Sequence, residues 1–195
     1  GPDRIVVEHG GRRYAFPPTG FSQINGAMVP ALVEGVRELL SPRPEQLLID
    51  LYCGYGLFAH ALAGRYARVI GLDAAPLSIA AARDNSAWHG TSARVEFYAR
   101  RITAQALAAT LPRAGRQSEA ILLDPPRQGP ERGVIAALAA RRPAIAVEAF
   151  CGVDELPRQV REWEAGAYRV GRIVPLDMFP GTASLEVLVS LLPAR

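Results

Sequence analysis

The sequence predicts an α/β protein with a doubly wound, Rossmann-like parallel sheet that ends in an antiparallel hairpin. Short apolar runs, typical of strands buried on both faces of a sheet, alternate along the chain with amphipathic, alanine-rich stretches typical of helices. Residues 168–176 and 185–192 are two further strand patterns without a crossover helix between them. Because parallel neighbours need such a crossover, these last two strands are expected to be antiparallel.

Turn and capping residues place the individual elements. Residues 5–7 and 14–16 flank the glycine pair 10–11 and are predicted to form a β-hairpin. Asn25 is predicted to cap a helix that runs to about Leu40. The central strands are predicted over residues 47–51, 69–72, 95–98, 120–123 and 145–149. The helices that alternate with them are predicted over residues 57–63, 76–88, 104–111, 132–140 and 154–164.

Length and composition indicate a folded protein that needs no disulfide framework. The 195 residues, 49% of them hydrophobic and 21% charged, can bury a sizeable core. We divide the chain into a hairpin lead-in, residues 1–20, and one larger domain, residues 21–195. Only two cysteines, Cys53 and Cys151, are present, which favours the reducing cytoplasm. No apolar run approaches the roughly 18 residues that a membrane span needs. We therefore expect a cytoplasmic monomer that has no membrane contact.

A glycine-rich loop after the first central strand is the candidate cofactor site. Asp50 and Tyr52 lie where that strand ends, and Gly54 and Gly56 allow the backbone to turn tightly and approach a ligand. Asp73 ends the second strand, where its carboxylate can accept both hydroxyls of a ribose. The loop also fits the glycine fingerprint of dinucleotide-binding enzymes, so a nicotinamide cofactor is an alternative. The histidines have no metal-ligand spacing, and no metal is predicted.

Two features favour S-adenosylmethionine over a nicotinamide cofactor. The terminal antiparallel hairpin resembles the end of the sheet in class I S-adenosylmethionine-dependent methyltransferases rather than that of dehydrogenases. The segment Asp124-Pro-Pro, after the fourth strand, resembles the Asp/Asn-Pro-Pro loop with which many nucleic-acid methyltransferases hold a planar acceptor. Asp124 is therefore expected at the cofactor and at the substrate. Arg127 of the same loop is a candidate either for a substrate phosphate or for an ion pair with a nearby carboxylate that caps the loop.

The remaining candidate residues suit methylation of carbon 5 of uracil. That carbon is a weak nucleophile, but addition of a thiolate to carbon 6 converts the ring into an enolate that attacks a methyl group through carbon 5. A base must then remove the carbon-5 proton before the thiolate can leave. Cys151, just after the fifth strand, and Glu186, in the terminal hairpin, are the candidates for nucleophile and base.

The chain resembles the catalytic domain of the RNA 5-methyluridine methyltransferases, which modify tRNA and ribosomal RNA. The matching segments, in the family order, are Phe21-Ser-Gln-Ile-Asn25, residues 50–56, Asp124-Pro-Pro-Arg127, Cys151 and Asp177-Met-Phe-Pro180 through Glu186. The resemblance implies that Gln23 contacts the methyl donor and that Asp124 bonds a uridine flipped out of structured RNA. It also implies that Cys151 is the nucleophile and Glu186 the base.

Around the candidate nucleophile and base the chain departs from the family pattern. Gly152-Val153 follows Cys151 where the family usually has Asn-Pro, and Ser184-Leu185 precedes Glu186 where His-Val is common. Two other functions are therefore kept as alternatives. In the first, the enzyme methylates an exocyclic amine held by the Asp124 loop, and Cys151 has no role. In the second, the protein is a catalytically silent RNA-binding or assembly module that retains the cofactor.

Overall fold

The computed structural model describes residues 4–23, 25–113, 115, 118–182 and 184–194. Ile24 of the predicted motif 21–25, and the ends of the two predicted domains at 1–3 and 195, lie outside the described residues. The strands are β1 (Ile5–His9), β2 (Arg12–Phe16), β3 (Leu47–Leu51), β4 (Arg68–Asp73), β5 (Val95–Ala99), β6 (Glu119–Leu123), β7 (Ile145–Phe150), β8 (Tyr168–Leu176) and β9 (Glu186–Pro193). The helices are α1 (Val29–Leu40), α2 (Leu57–Leu62), α3 (Pro76–His89), α4 (Ala104–Thr110), α5 (Val134–Ala140) and α6 (Leu156–Ala165), with a 3-10 turn at Ala63–Arg65.

Seven strands form one sheet in the order β5-β4-β3-β6-β7-β9-β8. The first five of these are parallel, whereas β9 runs antiparallel to both of its neighbours, β7 and β8. The predicted α/β fold with a terminal antiparallel hairpin is therefore confirmed. The strand order reverses between β3 and β6, and in open α/β sheets the crevice at such a switch point, beyond the carboxyl ends of the strands, binds ligands.

The central strands are buried on both faces, which explains their apolar composition. Alternate residues of β3 contribute to two separate cores, Leu48 to one and Ile49 with Leu51 to the other. The first core contains side chains of α1, α2 and α3, and the second contains side chains of α4, α5 and α6. This division between the two faces is the doubly wound arrangement expected of right-handed crossovers.

The N-terminal hairpin of β1 and β2 packs on helix α3. The amide of Asn85 in α3 is fully buried and bonds both the N–H and the carbonyl of Ala15, at 2.9 and 3.0 Å. Tyr14 and Phe16 on either side of Ala15 belong to the first core. The lead-in that the sequence suggested thus shares its apolar core with helices of the larger predicted domain.

Helix α1 begins three residues later than predicted, because Met28 and not Asn25 is its N-cap residue. The helix starts at Val29 with Met28 as its N-cap residue and has Pro30 in its first turn, where a missing N–H is tolerated. Asn25 instead accepts a backbone bond from Met28 through its carbonyl oxygen, at 3.0 Å, in the turn that leads into the helix. The sequence periodicity predicts an apolar face of Met28, Leu32, Val36, Leu39 and Leu40, and the buried face agrees with it except that Val29 takes the place of Met28.

Within the residues that the structure describes, no helix is long and apolar enough to cross a membrane. In the same residues, no group of three or more histidine, cysteine, aspartate or glutamate side chains is arranged to hold a metal ion. Both cysteines are free thiols: Cys53 is buried and Cys151 is partly exposed.

Candidate active site

A single cavity of about 740 Å³ brings most of the candidate residues together at the carboxyl edge of the sheet. That volume lies within the range of small-molecule sites. Eight of the ten residues singled out from the sequence line this cavity, namely Gln23, Tyr52, Gly54, Asp73, Asp124, Arg127, Cys151 and Glu186. The cofactor, substrate and catalytic candidates therefore share one space, as a group transfer between two bound molecules requires.

The glycine loop and Asp73 form one side of the cavity. The loop leaves β3 through Tyr52 and Gly54, both with positive φ (62° and 52°), and a Cβ added at Gly54 would meet no protein atom within 4 Å. The carboxylate of Asp73 holds this turn, because it accepts the Gly54 N–H at 2.9 Å and the Ala75 N–H at 2.8 Å. Each carboxylate oxygen retains a lone pair for a ligand hydroxyl.

Asp50 and Gly56, both predicted to contact the cofactor, do not line the cavity. Asp50 is fully buried beneath the loop, where burial and the charge of Asp124 raise its pKa well above the ordinary range, while the Ala59 amide opposes the shift. Gly56 precedes α2 with φ +87°, and a Cβ there would lie 2.8 Å from the His60 ring. Both residues shape the loop from behind, and their contact with a cofactor stays a prediction.

Asp124 lines the cavity together with the glycine loop, Cys151 and Glu186. It follows β6, and its backbone N–H donates to the Leu51 carbonyl at the end of β3, at 3.3 Å. Its side chain accepts a hydrogen bond from the Gln23 amide at 3.2 Å, so the segment that begins at Phe21 contacts this carboxyl group. The two residues are 101 positions apart in the chain. The family resemblance gave only the order of their segments along the sequence, and the structure shows that the segments are in contact.

Cys151 and Glu186 lie at the same end of the β7–β9 ladder, where β7 ends and β9 begins. The register of these antiparallel strands pairs Phe150 with Val187, so Cys151, which follows Phe150, and Glu186, which precedes Val187, come next in that ladder. Directly opposed residues in antiparallel strands have Cα atoms about 5 Å apart. Both side chains line the cavity, and Glu186 is only 3% exposed.

Burial and mutual repulsion keep the acidic groups of this cluster protonated to unusually high pH. Burial raises the pKa of Glu186 to about 7. Burial and the charge of Glu186 raise the pKa of Asp124 to about 7. Burial and then the charges of both carboxylates raise the pKa of Cys151, against a weaker opposing effect of Arg127. Cys151 is therefore a neutral thiol at neutral pH, with two groups beside it that titrate near pH 7.

Arg127 brings a positive charge to the mouth of the cavity. Its guanidinium pairs with Asp154 at 3.3 Å, and both side chains are exposed. An ideal Cβ at Gly152 would lie 3.5 Å from the Arg127 Nε, so the guanidinium lies beside the residue that follows Cys151. Exposed ion pairs contribute little, about 0–1 kcal/mol, so this arginine is free to exchange its partner for a ligand anion.

Leu77 is a cavity residue that the sequence reasoning missed. It lies in the first turn of α3, just after Asp73, and is 65% exposed although it is apolar. Phe21, which is 70% exposed, also lines the cavity. The signal for Leu77 was present in the sequence, since it lies off the buried face of the helix that carries Ile79 and Ala82.

The side chains that line the cavity suit a positively charged, nucleotide-like ligand. Asp73 offers acceptors to sugar hydroxyls, Leu77 and Pro125 offer apolar surface to a flat base, and the carboxyls of Asp124 and Glu186 favour a nearby cation. The sheet order and this cavity define the class of the protein: it has the fold of the class I methyltransferases.

Comparison with known proteins narrows the class to a family. The profile of the tRNA (Uracil-5-)-methyltransferase family matches residues 3–193, and the chain belongs to that family. It is 35% identical over 179 residues to the 23S rRNA (uracil(1939)-C(5))-methyltransferase RlmD of Alkalilimnicola ehrlichii, covering 90% of this chain and 39% of that protein. An uncharacterised RNA methyltransferase of Thermosynechococcus vestitus is 34% identical over 185 residues, covering 94% of this chain and 40% of the relative.

A solved structure agrees with this assignment. The tRNA (uracil-54, C5)-methyltransferase of Pyrococcus abyssi, determined in complex with S-adenosyl-L-homocysteine, superposes with a TM-score of 0.79 at 28% sequence identity. The superposition covers 98% of this chain and 45% of that protein. The chain thus spans about 40% of the length of the curated relatives it matches.

Proposed function

We propose that the chain is the catalytic part of an S-adenosylmethionine-dependent RNA methyltransferase that forms 5-methyluridine in tRNA or rRNA through a covalent adduct of Cys151. The observation that carries the proposal is the placement of Cys151, Glu186 and Asp124 in one cavity with the glycine loop. This reaction needs a thiol and two carboxyl groups. The two carboxyl groups, Asp124 and Glu186, have pKa values raised to about 7.

The glycine loop, Asp73 and Leu77 would bind the cofactor, which supplies an electrophilic methyl group when it is bound. Asp73 would accept the ribose hydroxyls, and Leu77 would pack on the adenine. Support comes from the acceptors that Asp73 keeps free and from the open space in front of Gly54. The bond from Gln23 to Asp124 would keep the cofactor side of the cavity aligned with the acceptor side.

In the proposed reaction, the sulfur of Cys151 adds to carbon 6 of the uracil ring while the thiol proton passes to the carboxylate of Asp124. Because the addition breaks the C5–C6 π bond, carbon 5 becomes the nucleophile that takes the methyl group. Glu186 then removes the proton of carbon 5, the C5–C6 double bond re-forms and the thiolate leaves. Asp124 would bind the polar edge of the ring.

The electrostatics of the site suit a proton transfer that accompanies thiol addition. A neutral Cys151 does not add to uracil by itself, so its proton must move as the C–S bond forms. A carboxylate whose pKa is close to 7 is a stronger base than an ordinary one, and Asp124 has such a pKa and acts electrostatically on the Cys151 thiol. Glu186 then stays ionised for the later removal of the carbon-5 proton. The uridine has to leave its stack to reach this depth. A free thiol nucleophile also supports the reducing cytoplasm as the location.

A second candidate function is methylation of an exocyclic amine held by the Asp124 loop, with no role for the thiol. The raised pKa of Cys151 favours it, because catalytic thiols usually have a lowered pKa.

Replacement of the sulfur separates the two functions. We expect Cys151→Ala to abolish the formation of 5-methyluridine on unmodified tRNA and rRNA transcripts, because Cys151 supplies the one thiol among the described residues that line the cavity. The binding of S-adenosylmethionine, measured by calorimetry, is the control and should be unchanged. If the product of the wild-type chain is an N-methylated base that persists in Cys151→Ala, the amine function is correct. A wild-type chain that binds the cofactor and methylates no RNA would be a silent module.

A further inference from the structure

Two apolar side chains project into solvent directly beside the proposed catalytic groups. Val153 lies two residues after Cys151 and is 56% exposed, and Leu185 immediately precedes Glu186 and is 37% exposed. The last pair of the β7–β9 ladder is Phe150 with Val187, so the segments that carry Val153 and Leu185 both adjoin this end of the sheet, and Cys151 and Glu186 of these segments line the cavity. Large apolar side chains exposed next to a site are candidates for contact with a ligand.

Both segments are held by hydrogen bonds of their own. The Val153 carbonyl accepts from the Leu156 N–H at 3.3 Å, where α6 begins. On the other side, the N–H of Ser184 donates to the Thr182 hydroxyl at 3.1 Å, in the turn before Leu185. One hydrogen bond thus constrains the backbone at Val153, and another constrains it at the residue before Leu185.

A cation lies next to this apolar pair. The Arg127 guanidinium lies beside Gly152, the residue that precedes Val153 in the chain. Asp154, which forms an ion pair with Arg127, is the residue that follows Val153. An apolar surface next to an arginine offers contacts to both parts of a nucleotide, since a base packs on apolar or aromatic side chains and a phosphate binds a guanidinium.

We propose that Val153 and Leu185 form the binding surface for the nucleobase adjacent to the target uridine, with Arg127 at the intervening phosphate. The proposal rests on the proposed function, because it takes the occupant of the cavity to be a uridine within an RNA strand. Such a uridine continues through its backbone into neighbours just outside the mouth. Once the uridine has left the stack, its neighbours lose a stacking partner, and an apolar surface at the mouth compensates for that loss.

The surface is tested with Val153→Ser, Leu185→Ser and the double variant. Val6→Ser is the matched control, because Val6 is 50% exposed in the separate two-stranded sheet of the hairpin. The substrate is the hairpin RNA that contains the uridine methylated by the wild-type chain. It is prepared intact and with an abasic residue on the 5′ or on the 3′ side of that uridine. The melting temperature and the affinity for S-adenosylmethionine are measured for every variant and should not change.

We expect the double variant to lose roughly tenfold in kcat/KM on the intact RNA, mainly through KM, because it removes the apolar surface that the base would bury. On one of the two abasic RNAs, the wild-type chain should show a similar loss, and the double variant should lose nothing more. That abasic position identifies the neighbour that binds to Val153 and Leu185.

Three results would overturn the inference. One is a double variant that is as active as Val6→Ser on the intact RNA, which leaves the proposed function standing. Another is a loss of kcat/KM in the double variant that is as large on both abasic RNAs as on the intact RNA, since the two side chains would then not act through a neighbouring base. The last is a wild-type chain that forms no 5-methyluridine, which contradicts the proposed function and with it this surface.

Discussion

Replacement of Glu186 by glutamine should stabilise the protein at high pH while it abolishes the proposed methylation. Glu186 is almost fully buried in the wall of the cavity, and this burial raises the pKa of its carboxyl group to about 7. The folded protein therefore holds the ionised carboxylate less well than the unfolded chain does. Glutamine has nearly the same shape and no charge, so Glu186→Gln removes that penalty together with the base.

The sign and size of the effect follow from linkage. For a group whose pKa is raised on folding, the stability is fully present below the unfolded pKa, 4.5 for glutamate, and is lost as the pH rises through the folded pKa, about 7. A difference of about 2.5 pKa units corresponds to about 3 kcal/mol at pH 8. At pH 5 the glutamate is largely neutral in the folded state, and the difference should be below about 1 kcal/mol.

Urea denaturation of the wild type and of Glu186→Gln at pH 5 and at pH 8 measures this difference. We expect the variant to be more stable by about 3 kcal/mol at pH 8 and by much less at pH 5. Glu164→Gln, on the exposed side of α6, is the control and should change neither value. A variant that gains nothing at pH 8, or gains the same at both pH values, would refute the assignment of a buried, proton-binding Glu186.

Three further predictions follow from the same geometry. Asp73→Asn should weaken the binding of S-adenosylmethionine by roughly tenfold or more in calorimetry, since it removes a charged acceptor from the loop; an unchanged affinity would exclude Asp73 from the cofactor site. In single-turnover assays, methylation by the wild type should increase as the pH rises through about 7, where Glu186 ionises, and a flat profile from pH 6 to 8 would argue against that base. Gly71→Ala should destabilise the fold by about 1–3 kcal/mol in urea, because its Cβ would lie 2.6 Å from Phe97, whereas Gly64→Ala, with open space around it, should not; equal stabilities would show that the sheet yields at that position.

The fold was accessible from the sequence because its signals are local. Strands such as β3 are apolar except for Asp50, as burial on both faces requires, and β8 and β9 have no crossover helix between them. The start of α1 was less accessible, because Asn25 is a good cap by residue type but the turn from Asn25 to Met28 uses its backbone instead. Side-chain capping depends on the path of the preceding loop, which periodicity does not describe.

The site was predictable as a set of residues but not as an arrangement. Strand ends put Asp73, Asp124 and Cys151 at one edge of the sheet, and that placement follows from topology alone. Burial could not be foreseen in the same way: Asp50 lies beneath the loop, and the thiol of Cys151 has neighbours that raise its pKa rather than lower it. Those properties depend on packing between segments that are far apart in the chain.

The covalent role of Cys151 is tested most directly by trapping with RNA that contains 5-fluorouridine, in the presence of S-adenosylmethionine. Carbon 5 then carries fluorine instead of the proton that must leave, so the proposed adduct cannot break down. We predict a denaturant-resistant protein–RNA complex whose linked peptide contains Cys151, and no such complex with Cys151→Ala. A wild-type chain that forms 5-methyluridine yet yields no complex, or a complex linked through another residue, would contradict the mechanism.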